Sequence, residues 1–85
     1  MQQDFTTIAD ALVGADLELM DKDETCRFFG GQTRPINHAT LYRGVASGRY
    51  PAPIKVGANS SRWIKSECTE ALLRIIGERD ARSAA

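Results

Sequence analysis

The stretch TLYRGVASGRYP, residues 40–51, begins with helix-forming residues and stops at Gly48, with Pro51 close behind. Asn37, just upstream, carries the short side-chain oxygen that caps a helix start. Gly48 tolerates the left-handed backbone that closes one. Together they bracket a helix from His38 to Ser47. At about 100° per residue, Leu41, Gly44 and Val45 gather on one side. Opposite them lie Ala39, Arg43 and Ala46. Tyr42 and His38 flank one edge, and Thr40 and Ser47 the other. Glycine inside a helix costs about 1 kcal/mol relative to alanine, so Gly44 on the inward side predicts a very close neighbour.

Working downstream, YPAPIKVGANSSRW (50–63) predicts a hairpin. Ile54 and Val56 face one way and Lys55 the other. Gly57 to Ser60 is turn chemistry, and Ser61 to Ile64 returns. Pro51 and Pro53 suit the approach to a strand rather than its centre. Ser66 then caps a last helix with an apolar stripe of Cys68, Ala71, Leu72, Ile75 and Ile76, running to about Arg82. Gly77 is its weak point, and residues 83–85 form a frayed tail.

Working upstream, Pro35 makes QTRPI a loop. Asp21 with Glu24 resembles a capping box for a helix that turns Cys26 and Phe29 inward and ends at Gly30-Gly31. DLELMD (16–21) alternates polar and apolar residues, as a short strand does. Phe5, Ile8, Ala9, Leu12 and Val13 make one apolar face of a short helix capped by Asp4 and ended by Gly14. The expected fold is mainly α with a small β-hairpin. Its order is helix, glycine turn, helix, two-stranded hairpin, helix: a winged helix-turn-helix over residues 16–82, after a short helix or arm at 1–15.

Eighty-five residues suit one domain with a small core. No apolar run approaches the roughly 20 residues of a membrane span. The N-terminus lacks a basic segment and is not read as a secretory signal, so the expectation is cytoplasmic. Cys26 and Cys68 fall on apolar positions and are expected as buried thiols. With His38 the only histidine, they do not make a standard zinc set.

The formal charge is zero, yet its distribution is uneven. Residues 1–31 carry seven acids and two bases. Residues 32–65 carry six bases (Arg34, Arg43, Arg49, Lys55, Arg62 and Lys65) and no acid. Residues 66–85 carry four acids and three bases. A local patch, not the total, sets the field that a polyanion meets. One arginine among small side chains suits a helix entering a major groove about 12 Å wide, where arginine can donate two hydrogen bonds to guanine. The candidate double-stranded DNA contacts are Asn37, His38, Ala39, Thr40, Tyr42 and Arg43 from the helix, and Arg34 and Arg49 beside it. The hairpin adds Lys55, Asn59, Ser60, Ser61 and Arg62. Trp63 is expected in the core. No serine–histidine–acid spacing and no phosphate-binding glycine loop stands out, so catalytic residues, metal and cofactor are all assigned as none.

The segment INHATLYRGVASGRYPAPIKVGANSSRWIKSE (36–67) resembles AlpA-type regulators and the small excisionases of phages and integrative elements. Their winged-helix fold is related to the DNA-binding end of the MerR family. The resemblance rests on Tyr42-Arg43 in a capped helix, on Gly48-Arg49-Tyr50-Pro51, and on Ser61-Arg62-Trp63 before a last helix. It covers roughly residues 17 to 80. It implies sequence-specific DNA binding without catalysis. The helix would read the major groove and the wing would reach the minor groove. Several copies would bind adjacent sites and bend attachment-site DNA, favouring integrase-mediated excision.

AlpA-type members are instead transcriptional regulators, often of a neighbouring integrase gene, so a promoter region is the alternative target. Gly44 departs from the leucine common in that helix, and Gly30 to Pro35 makes a longer turn than the family norm. The N-terminal segment, or Leu73 off the main stripe of the last helix, is a candidate contact with the next copy on DNA. A protein-interaction module, such as an antitoxin or adaptor, is the reading from another class.

Overall fold

The structure is a computed structural model that describes residues 17–84. The expected helix or arm at residues 1–15 lies outside the described residues. The described chain runs β1 (Leu19–Met20), α1 (Lys22–Gly30), α2 (His38–Ser47), β2 (Ile54–Gly57), β3 (Ser60–Ile64) and α3 (Lys65–Ala84). It is mainly helical, with one small antiparallel sheet in the order β1-β3-β2.

α1 starts at a complete capping box. Asp21 accepts from the Glu24 amide at 2.8 Å, and the Asp21 amide donates to Glu24 Oε1 at 3.0 Å. Gly31 lies just past the last turn at φ 115°, a conformation that favours glycine. α2 is bracketed as expected. The Asn37 side chain accepts from the Thr40 amide at 2.7 Å, and Gly48 closes the helix in the left-handed region. Losing such a cap costs about 1 kcal/mol.

The short strand expected within 16–21 is present at Leu19–Met20, and it joins the hairpin as a third strand. Leu19 pairs with Ile64 and Met20 with Trp63, so β1 lies on the open edge of β3. The ladder continues to the Lys65 amide, which donates to the Glu18 carbonyl at 2.9 Å. α3 therefore begins at Lys65, one residue before the expected Ser66 cap, because a sheet bond already satisfies its first amide. It continues through Ala84, two residues past the expected end.

The core cluster is Met20, Cys26, Leu41, Trp63 and Cys68, with Phe28, Phe29, Ile36, Val45 and Tyr50 packed against it. Trp63 is fully buried, and its indole N–H donates to the Pro51 carbonyl at 2.9 Å. Both cysteines are free and buried. Burial pushes the Cys68 thiol up to about 11 and raises that of Cys26 as well. On α3, Cys68 and Ala71 are buried and Leu72 and Ile75 half-buried. Ile76 is exposed, because the helix outruns the small core. Ile54 and Val56 are exposed too, on an edge strand.

The close neighbour expected at Gly44 is Tyr50. A β-carbon on residue 44 would land inside the Tyr50 ring. That ring is stacked on Phe29 with centroids 4.3 Å apart, which stops it swinging away. Gly44→Ala should therefore cost stability. Overpacking of about 1–3 kcal/mol, less about 1 kcal/mol of helix gain, leaves a net loss of up to about 2 kcal/mol in urea melts. In a Tyr50→Ala background the loss should turn into a gain of about 1 kcal/mol. A midpoint for Gly44→Ala above the parent's would mean that the ring yields freely.

Candidate nucleic-acid interface

α2 presents one face to the core and the other to solvent, as its sequence dictates. Leu41 and Gly44 are buried and Val45 half-buried, while Ala39, Tyr42, Arg43, Ala46 and Ser47 are exposed. Two small residues at the centre of the outward face leave it shallow. Its edges carry the longer polar side chains. Arg43 lies along the helix, with Nη2 3.4 Å from Thr40 Oγ1.

Depressions flank this face. On the hairpin side, Tyr42, Asn59, Ser61 and Arg62 line one cleft together with Asp21, Lys22 and Asp23 of the α1 start. The Tyr42 ring sits 6.1 Å from that of Trp63, so the buried indole supports it from the core side. On the other side, Thr40, Arg43, Ala46, Ser47 and Arg49 line a second depression, floored by Gly44 and Tyr50. At the N-terminal end, Asn37, His38 and Ala39 meet Asp23 and Arg27. Arg34 and Lys55 are exposed and line none of the three.

The register of the hairpin separates its two cations. Lys55 pairs with Ser61 and Ile54 with Arg62, with an irregularity between Lys55 and Gly57. Cross-strand partners share a face, so Lys55 and Arg62 leave opposite faces of the ribbon. Arg62 Nη1 donates to the Ser61 carbonyl at 2.9 Å, which draws it along its own strand. Ser60 stands at the turn opposite Gly57, half-buried.

Several candidates already have partners. The side-chain oxygen of Asn37 is committed to the Thr40 amide. His38 Nε2 lies 2.8 Å from Asp23 Oδ1, and this bond holds the Asp23 carboxyl below the usual carboxylate range. Arg49 Nη1 donates to Glu78 Oε1 at 3.2 Å; bonds to Glu78 and Tyr50 raise its pKa further, so it stays charged. Asp23, Glu78 and Lys22 were not singled out from the sequence. Asp23 and Glu78 are acids at the rim of a basic surface, brought there by contacts between different elements. Only Lys22, by its charge beside a capping box, offered a signal. Among the described residues, no group of three or more histidine, cysteine or acidic side chains is placed to hold a metal ion. No described helix is long and apolar enough to cross a membrane.

The chain was compared with protein-family models, curated proteins and solved structures, and none matches.

Proposed function

We propose that this chain is a winged helix-turn-helix protein that binds double-stranded DNA sequence-specifically and acts as an excisionase. In this reading α1 and α2 form the helix-turn-helix, and the β2–β3 hairpin is the wing. The observation that carries it is the outward face of α2. Small side chains at its centre allow close approach to base edges, with Tyr42 and the hairpin on one side and Arg43 and Arg49 on the other. The whole span lies in the acid-free block of residues 32–65.

Arg43 is the base-reading residue, donating in bidentate fashion to guanine. Ala39 and Thr40 lie close to the groove floor. Tyr42, His38, Asn37 and Arg49 meet phosphates on the flanks, and phosphate contacts fix the register of the protein on the duplex. Lys55 and Arg62, leaving opposite faces of the ribbon, suit a wing seated between two phosphate walls, with Asn59, Ser60 and Ser61 at its tip. Arg34 contributes to the long-range field. Copies bound side by side would bend attachment-site DNA and favour integrase-mediated excision. The protein then works in the cytoplasm on the nucleoid, without cofactor or catalysis. The resemblance to AlpA-type regulators favours a second reading, transcriptional control from a promoter. An excision assay with integrase, free of transcription, separates the two.

Binding to a duplex selected from a random library is the direct test. With about four to six phosphate contacts, log Kd should vary with log salt with a slope of magnitude about 4–5. Arg43→Ala should lose about 1–3 kcal/mol on the selected site and relax discrimination there, while Arg62→Ala weakens all duplexes evenly. A slope near zero would reject DNA as the ligand. It would favour a protein-interaction module.

A further inference from the structure

The basic surface does not end with the acid-free block. Beyond the depression that holds Arg43, residues Ser47, Gly48 and Arg49 form one wall of a crevice. The other wall is α3, with Ala71, Arg74, Ile75 and Glu78. Arg49 lines both the crevice and the Arg43 depression, so the two are continuous. Arg74 and Glu78 are four residues apart on α3 and are therefore neighbours on its surface. Arg49, Arg74 and Glu78 thus line one crevice, and Arg49 donates to Glu78 directly at 3.2 Å.

We propose that Arg49 and Arg74 form a phosphodiester-binding cleft, which Glu78 fills as an internal stand-in for phosphate when DNA is absent. This deepens the DNA-binding reading and rests on it. A carboxylate oxygen offers arginine the same acceptor geometry as a phosphate oxygen. The pair is solvent-exposed on both sides, with side-chain accessibilities of 46% and 59%, so it is weakly held and open to exchange. On DNA, Arg49 and Arg74 would turn to one phosphate beyond the end of α2, and Glu78 would be released to water. In the free protein, Glu78 lowers affinity for every duplex alike. Only a site that also satisfies Arg43 offsets that penalty, so Glu78 acts for specificity by weakening everything else.

The test uses the full chain and a fluorescein-labelled duplex of arbitrary sequence, read by anisotropy over a salt series. Glu78→Gln should bind about 3–10-fold tighter at low salt, with a log–log slope steeper by about 1, the value for one added phosphate contact. In a Glu78→Gln chain, Arg49→Ala or Arg74→Ala should remove most of that gain. Glu70→Gln removes the same charge from the same helix, outside the crevice, and should change affinity less than about 2-fold. Equal gains from Glu70→Gln and Glu78→Gln would overturn the cleft and leave only a general charge effect. A gain that survives loss of either arginine would overturn it too. If the parent chain shows no salt-dependent binding, the DNA reading itself fails, and the cleft with it.

Discussion

Trp63→Ala is expected to unfold a large fraction of the chain in dilute buffer at room temperature. Trp63 is the largest fully buried side chain and the cross-strand partner of Met20. Deleting such a ring costs about 3–5 kcal/mol through lost transfer energy and a residual cavity. The Pro51 carbonyl also loses its donor, which adds about 1 kcal/mol. A domain of this size holds only about 4–13 kcal/mol of stability in all. Trp63→Phe keeps most of the apolar volume and drops the hydrogen bond, so its loss should be about 1–2 kcal/mol. Far-UV circular dichroism in urea reads both variants. Trp63 is the only tryptophan, so its own fluorescence cannot serve. An alanine variant with the parental midpoint would mean that the indole is not the keystone of this core.

The second large effect is expected at Gly30. The chain leaves α1, doubles back, and passes directly over the last turn. The Ile36 amide donates to the Cys26 carbonyl at 3.2 Å. A β-carbon on residue 30 would collide with the Ile36 nitrogen and come within 2.8 Å of the Pro35 carbonyl carbon. These are backbone atoms and cannot rotate aside. Gly30→Ala should displace the connection and break that hydrogen bond, at about 2–4 kcal/mol for overpacking and the lost bond together. It should also tilt α2 against α1, so under the proposed reading DNA affinity should fall as well at temperatures where the variant is folded. Gly31→Ala is a useful contrast, because residue 31 meets only the Arg34 carbonyl, at 4.0 Å, and its cost is one of backbone conformation. An unchanged melting curve for Gly30→Ala would show that the connection adapts.

What could be read from the sequence was what short-range chemistry decides. Asp21 with Glu24, and Asn37 with Gly48, each bond to backbone within a turn, so their spacing was sufficient to delimit α1 and α2. The inward position of Gly44 announced a close neighbour, although not that it would be Tyr50. What could not be read depends on contacts between remote segments. Alternation in DLELMD pointed to a short strand, of which Leu19–Met20 form one, but not to its pairing with β3. That same pairing sets the start of α3 at Lys65, ahead of the cap expected at Ser66. The bond from Arg49 to Glu78 joins positions 29 residues apart, and the sequence places Glu78 in an acid-containing segment with no sign of where it points. The stripe of α3 failed at Ile76 because periodicity reports which face is apolar, not how far the core extends beneath it.

If α2 reads DNA as proposed, the ten residues between Asn37 and Gly48 set a limit on how much information one copy can extract. At about 1.5 Å per residue, α2 is about 15 Å long. Base pairs are stacked about 3.4 Å apart, so such a rod lies alongside roughly four of them. A word of four letters recurs by chance about once in 256 positions, far too often to mark one locus in a genome that offers millions of competitors. Under the proposed reading, an unambiguous address has to be spelled jointly, by several copies on a spaced array or by one copy beside a second protein. The caps that make α2 definite also make it short, and under that reading brevity is what would oblige the protein to act in company.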